Sequence, residues 1–162
     1  MRHLIAMGAL LTLAQAPSLT AVAKRVPWCT WSPHSTSGWH EVSFLRFRMR
    51  VPRGVEPAQN SGFAHGGQLW SGTGIEVSYS FGYHDSRSLD GEDITVCRAT
   101  RVDGRAALVG ERPTNAGVAV MMWSADFRLG EQGLPSNMLV SASSSSREDL
   151  PTLRAIVLSV KR

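Results

Sequence analysis

Two stretches in which apolar and polar residues alternate constrain the fold more than any other feature of this sequence. Within residues 45–51, apolar side chains alternate with Arg46, Arg48 and Arg50, and within residues 75–81 they alternate with glutamate and serine. Successive side chains of a strand point to opposite faces of the sheet. Each stretch therefore predicts a strand with one buried face and one solvated face.

Four more segments predict strands, which gives about six in total. Residues 94–102 and 105–111 flank Asp103-Gly104, a dipeptide that favours the tight turn of a β-hairpin. Residues 117–125 and 138–143 are rich enough in apolar residues to form two further strands. Short strands joined by turns predict a mostly antiparallel sheet.

The C-terminal segment changes its period from two to 3.6. Its apolar residues fall on one face of a helix: Leu150, Leu153, Ile156, Val157 and Val160. Ser145 and Glu148 fit the capping box that begins a helix. A sheet whose dry face is covered by such an amphipathic helix is an α+β fold.

The N-terminus has the three parts of an export signal. Arg2 and His3 give a positively charged start, residues 4–14 are apolar, and residues 21–23 supply the small residues that a signal peptidase reads. A cut after Ala16 is an alternative, but a proline would follow it directly. We therefore expect residues 1–23 to be removed and the protein to be periplasmic or extracellular.

Cleavage leaves residues 24–162 as a single globular domain. Residues 24–41 show no clear period and predict an irregular leader, and residues 52–68, rich in proline and glycine, predict a long loop. No segment after the signal is apolar enough to cross a membrane.

The chain has two cysteines, Cys29 and Cys97. An even number in an exported chain favours a disulfide between them, and the alternatives are two free thiols or one buried and one reactive thiol. A lipid anchor on Cys29 is a weaker alternative, because the bulky Trp28 stands where lipoprotein processing requires a small residue.

The charge is modest: Lys and Arg total 17 against 13 Asp and Glu, and the net charge is +4. This balance affects solubility and weak steering and is not a nucleic-acid signature. Nucleic-acid binding requires a broad basic surface with stacking aromatics, and export places the chain in the wrong compartment. We expect no nucleic-acid partner.

The motifs of common catalytic sites are missing from the sequence. It contains no G-x-S-x-G nucleophile elbow and no phosphate-binding glycine loop. The histidines His34, His40, His65 and His84 form no metal-binding motif, although histidines on separate loops can converge in space. We therefore expect no catalytic residues, no metal and no cofactor.

Two groups of residues are candidates for binding a partner: Trp28, Trp31 and Trp39 in the leader, and Arg46, Arg48 and Arg50 in the first strand. Tryptophan and arginine often anchor protein interfaces, so the partner would be an envelope protein or an acidic surface. The alternative is structural: at least one tryptophan completes the core, and the arginines form a solvated face opposite Leu45. That face would include Phe44, and Glu76 on the next strand would neutralise the charge of the arginines.

The order of these segments resembles the PsbP-like class of small exported α/β domains. The resemblance rests on a strand that runs into Val51-Pro52, on the stretches SYSFGYHDS and RVDGRAAL, and on the closing EDLPTLRAIVLSVKR. It covers most of residues 42–162. It implies a sandwich fold and a non-enzymatic binding role, and the class shares no catalytic motif to transfer to this chain. The tryptophan-rich leader and the predicted disulfide depart from the class.

Three hypotheses on function follow, in order of preference. The first is an exported, non-catalytic binding or accessory domain of the cell envelope. The second is a carrier with a small-ligand pocket between the helix and the sheet. The third is an enzyme whose residues converge only in three dimensions. The sequence does not determine the oligomeric state.

Overall fold

The computed structural model describes residues 34–58, 67–82, 94–102, 104–128 and 135–162. The predicted signal peptide and most of the leader, including Trp28, Cys29 and Trp31, lie outside these residues. The described part of the chain contains nine strands, which run in the order β1 His40–Phe44, β2 Phe47–Val51, β3 Glu56–Pro57, β4 Gln68–Gly72, β5 Ile75–Gly82, β6 Thr95–Val102, β7 Arg105–Thr114, β8 Gly117–Arg128 and β9 Pro135–Ser144. A 3₁₀ turn, Arg147–Asp149, leads into the helix α1, Leu150–Leu158.

All strand pairs in the described residues are antiparallel. Seven strands form one sheet in the order β3-β4-β5-β9-β8-β7-β6, and β1 and β2 form a separate hairpin. The predicted α+β fold, a mostly antiparallel sheet with a C-terminal helix, is therefore confirmed. The predicted number of six strands is wrong, because no strand was predicted in the segments that form β1, β3 and β4. Their own patterns are weak, and pairing with stronger neighbours orders them.

The stretch 45–51 does not form one continuous strand. Leu45 and Arg46 are the two turn residues of the β1–β2 hairpin, and Phe44 pairs with Phe47 across the turn. Leu45 has φ +52° and is 46% exposed, whereas Phe44 is buried. The expectation of Leu45 in the core and Phe44 on the arginine face is therefore wrong. A two-residue turn shifts the phase of the alternation, so that both phenylalanines face the core.

The second hairpin matches its prediction. Strands β6 and β7 pair from Val102 and Arg105 outward, around the predicted turn, and Gly104 has φ +75°. Positive φ at this position is the reason why hairpin turns favour glycine.

The core lies between the large sheet on one side and α1 with the β1–β2 hairpin on the other. The helix packs against β8, β9 and β2. It contributes Leu153, Ile156 and Val157, all fully buried. The fully buried residues of the strands include Phe47, Met49, Val51, Val77, Val109, Val120, Met138 and Val140.

The 3₁₀ turn that leads into α1 begins one residue later than the capping pattern predicts for the helix. The hydroxyl of Ser146, not that of Ser145, accepts a hydrogen bond from the backbone N–H of Glu148 at 3.2 Å. After the helix, the backbone of Lys161 exchanges two hydrogen bonds with that of Arg48, at 2.8 and 2.9 Å. The C-terminal residues thus tie α1 to the β1–β2 hairpin.

The opposite face of the sheet is not uniformly solvated. On β8, Ala119 and Met121 are 2% and 5% exposed, and their side chains alternate with Val118, Val120 and Met122 of the core face. The expectation of a sheet with a single dry face is therefore wrong for its centre. The nearly continuous apolar run of β8 is the pattern of a strand buried on both faces.

Within the described residues, no helix is both long enough and apolar enough to cross a membrane.

We predict that Gly117→Ala destabilises the protein by more than about 2 kcal/mol. A Cβ at this position would lie 2.1 Å from the carbonyl oxygen of Ser144, so the start of β8 would have to move away from the end of β9. Urea unfolding measures the loss. The matched control is Gly74→Ala, where φ is +78° and no atom lies within 4 Å of the added Cβ. Equal losses in the two variants would contradict the close approach at Gly117.

Candidate functional site

Of the three candidate tryptophans, the structure describes Trp39. Its side chain is half-buried and packs against the core, and its ring centroid lies 6.0 Å from that of His34. The structural alternative therefore applies to Trp39. Trp28 and Trp31 lie outside the described residues, and their binding role stays a prediction.

The predicted row of three arginines is not formed. Arg46 lies in the hairpin turn, with its Cζ 5.4 Å from the ring centroid of Phe47. Arg48 donates to Glu41 at 3.3 Å and to the carbonyl of Arg162 at 3.1 Å. The acidic partner is thus Glu41 on the adjacent strand and not Glu76.

Arg50 holds the segment that precedes β1. Its guanidinium donates to the hydroxyl of Thr36 at 2.9 Å and to the Thr36 carbonyl at 3.2 Å, and the side chain is half-buried. Arg48 and Arg50 therefore have structural contacts within the chain, and a binding role for the arginines stays a prediction.

The remaining predicted residues are described only in part. Cys97 lies half-buried in β6, where the pairing with β7 shifts register between Val96 and Arg98. Its predicted partner, Cys29, is outside the described residues, so the disulfide stays a prediction. Among the residues described, no group of three or more His, Cys, Asp or Glu side chains is placed to hold a metal ion.

The two described histidines lie apart, in polar contacts of their own. His34 Nε2 is 3.3 Å from the hydroxyl of Thr152, and His40 Nε2 is 4.0 Å from the carboxylate of Glu56. His65 and His84 lie outside the described residues.

The best candidate site is a cleft of about 360 Å³ between the start of the helix and one end of the sheet. We call it the arginine cleft. Its lining comes from strands β6, β7 and β8 on one side and from the 3₁₀ turn and α1 on the other: Thr95, Glu111, Arg112, Pro113, Val118, Arg147, Leu150 and Arg154. Three of these eight residues are arginines and one is acidic.

A buried ion pair joins the two walls of the arginine cleft. Arg154 of α1 donates through Nε and Nη2 to the two carboxylate oxygens of Glu111 on β7, at 2.6 and 3.0 Å. The side chains are 15% and 9% exposed. Two parallel bonds of this kind fix the guanidinium plane as well as its position. The pair therefore holds the helix at a set distance and orientation over the sheet.

The charge that remains in the arginine cleft is positive. The Glu111 carboxylate offsets the charge of Arg154, whereas Arg112 and Arg147 are exposed and form no ion pair with any described residue. The apolar part of the lining is Pro113, Val118 and Leu150. Arg112 pairs with Ala119 across β7 and β8, which puts its side chain on the sheet face away from α1. The cleft thus combines one available cation, Arg147, with an apolar wall, which suits a group that carries negative charge next to apolar atoms.

A second pocket, of about 340 Å³, lies at the C-terminal end of β9, beside the β4–β5 and β7–β8 turns. Its lining is rich in hydroxyls and glycines: Ser71, Gly72, Gly74, Ile75, Glu76, Thr114, Ala116, Ser143, Ser144 and Ser145. Exposed Glu76 is its one charged residue. Serine and glycine alone do not define a ligand class, so this pocket is the weaker candidate.

The arginine cleft was not predicted from the sequence. Glu111 and Arg154 are 43 residues apart, and no local pattern pairs them. One signal was present: Arg147, Leu150 and Arg154 follow one another at helical spacing beside the apolar stripe of α1. Basic residues that flank the buried face of a covering helix lie at the boundary between helix and sheet, where clefts form.

No protein-family model matches this chain, and no curated protein matches it. The function is therefore inferred from the residues and contacts of the chain itself.

We predict that Arg154→Met destabilises the protein by about 3 kcal/mol, because it removes the guanidinium that the buried Glu111 carboxylate contacts. The double variant Glu111→Met with Arg154→Met should recover most of this loss, because neither charge is then buried. Urea unfolding measures both. The control is Arg147→Met, which changes an exposed arginine of the same cleft. A loss in the control as large as in Arg154→Met would contradict the structural role of the ion pair.

A second prediction concerns the ion pairs of Glu41, whose carboxylate also lies 3.0 Å from Lys161 Nζ. Hydrogen bonding from Lys161, helped by the charges of Lys161 and Arg48, holds the pKa of Glu41 below its ordinary value of 4.5. A carboxyl whose pKa is lower in the folded state stabilises the fold above its unfolded pKa, and this contribution is lost as the pH falls through the folded pKa.

Glu41→Gln should therefore be less stable than the parent at pH 7, and this deficit should shrink as the pH falls below the unfolded pKa of 4.5, with the difference at pH 7 reduced by salt. Thermal unfolding across this pH range checks the result. Glu76→Gln is the control, since Glu76 is exposed and has no ion pair with a described residue. A Glu41→Gln deficit that stays constant from pH 7 to pH 3 would contradict the ion pairs.

Proposed function

We propose that this chain is an exported, non-catalytic binding domain of the cell envelope that recognises an anionic group at the arginine cleft. One observation carries the proposal: the exposed Arg147 lines a cleft whose walls are joined by the buried Glu111–Arg154 pair. A site that keeps its shape before binding loses less entropy when a ligand arrives.

Two further lines of support come from the sequence. Residues 1–23 have the pattern of a cleaved export signal, which supports a location in the periplasm or outside the cell. The segment order resembles the PsbP-like class, and we propose a PsbP-like sandwich with the accessory, binding role typical of that class. The confirmed α+β architecture, an antiparallel sheet covered by a C-terminal helix, is compatible with this fold.

A second candidate function is that of a small-ligand carrier. It is favoured by the place of the arginine cleft, which lies between the helix and the sheet and has the volume of a small ligand site. In this case the bound anion is a free small molecule, whereas in the first case it belongs to an envelope component.

Photo-crosslinking in intact cells tests whether the arginine cleft is a recognition site. A benzophenone amino acid replaces Thr95, which lines the cleft, in one variant and Arg53, an exposed turn residue after β2, in the control. We expect a defined adduct, detected by mass, from position 95 and not from position 53. Additional Arg147→Glu should abolish the adduct, because it reverses the available charge of the cleft. The same adducts from both positions, or none from position 95, would contradict the proposal.

The same cells test export. The mature protein should appear in the periplasm or the medium with an intact mass that corresponds to residues 24–162. A full-length chain retained in the cytoplasm would contradict this part of the proposal.

A further inference from the structure

We propose that the ligand of the arginine cleft is a small amphiphilic organic anion: one carboxylate or phosphate head on an apolar body of about ten heavy atoms. This inference rests on the proposed function and specifies the chemical class that the site takes. Its basis is the composition, charge and size of the cleft.

The charge of the cleft selects an anionic head group. Its lining holds three arginines against one acidic residue, and Glu111 already occupies the fork of Arg154 with two hydrogen bonds. The side chain of Arg147 remains: it is exposed and forms no ion pair with a described residue. A guanidinium binds carboxylate and phosphate through paired N–H donors, so Arg147 can hold one such head group.

The apolar wall selects what the head group is attached to. Val118 is buried at the start of β8, Leu150 is half-buried at the start of α1, and Pro113 completes this side of the cleft. An inorganic anion would leave these side chains against water. A ligand with an apolar body covers them and gains the free energy of apolar burial in addition to its ionic contacts.

The volume limits the size of the ligand. About 360 Å³ lies at the lower end of the range for small-molecule pockets, about 300–1,000 Å³. Such a cleft accommodates a short acyl chain or a single ring with its head group. A folded acidic protein would contact the rim of the cleft and leave the apolar wall uncovered, so we favour the small molecule.

The experiment is a calorimetric titration of the mature chain with four probes: octanoate, octyl phosphate, octylamine and inorganic phosphate. Octanoate and octyl phosphate should bind at one site, and octylamine and inorganic phosphate should bind at least tenfold more weakly. Equal affinity for octylamine would overturn the role of charge, and equal affinity for inorganic phosphate would overturn the role of the apolar wall.

Variants locate the site. Arg147→Gln should weaken octanoate binding about tenfold, because a charged hydrogen-bond partner is lost. Leu150→Ala should weaken octanoate more than inorganic phosphate. Arg53→Gln, an exposed arginine outside the cleft, is the control and should bind as the parent does. Since Arg147 is exposed, its replacement should leave the melting temperature unchanged, which separates lost binding from lost folding.

The two proposals fail in different ways. If position 95 gives a defined crosslinked adduct in cells but neither octanoate nor octyl phosphate binds, the domain binds at the cleft and the ligand class proposed here is wrong. An adduct whose mass is that of a protein would likewise reject the small anion in favour of an acidic protein partner. If octanoate binds equally well to the parent and to Arg147→Gln, the ligand does not bind at the arginine cleft.

Discussion

The packing of α1 and the β1–β2 hairpin against one face of the large sheet is the interaction on which the rest of this structure depends. Leu153, Ile156 and Val157 of the helix are fully buried there, as are Met49 and Val51 of the hairpin. Each such side chain contributes about 1.5–3 kcal/mol when removed from water. Without this cover, the valines and methionines of β5, β7, β8 and β9 would face solvent.

The same packing creates the arginine cleft. A helix that covers a wider sheet leaves a boundary along its side, and here Arg147, Leu150 and Arg154 line that boundary from the helix. The Glu111–Arg154 pair fixes its width through two short hydrogen bonds. A buried ion pair adds little net stability compared with apolar residues. Its value in this fold is geometric, because it sets how the helix lies over the sheet and where Arg147 is presented.

The general architecture could be predicted from the sequence because it depends on local periodicity. The apolar stripe of α1 and the hairpin around Gly104 are both specified by residues that are close together in the sequence. The alternation in residues 45–51 predicted one strand where there is a hairpin, since a two-residue turn at Leu45 and Arg46 leaves no proline or glycine signal. Strand β4 was not predicted, because the glycine-rich sequence around it indicates a loop. Pairing with β5 forms the strand in spite of this local signal.

The candidate site was harder to predict because it depends on contacts between distant residues. Glu111 and Arg154 meet only after β7 has joined the sheet and α1 has packed on it. The arginines that stood out in the sequence, Arg48 and Arg50, instead form contacts that hold the C-terminus and the segment before β1. Regular spacing made them conspicuous, and their intramolecular partners could not be read from that spacing.

The shared packing implies that helix, hairpin and sheet form one cooperative unit that holds the arginine cleft open. Native-state hydrogen exchange at increasing denaturant measures this cooperativity. Slowly exchanging amides of α1, β2, β8 and β9 should open together, with the free energy of global unfolding. If the amides of α1 open at a much lower free energy while those of β8 and β9 stay protected, the helix is not required for the core and there is no such cooperative unit.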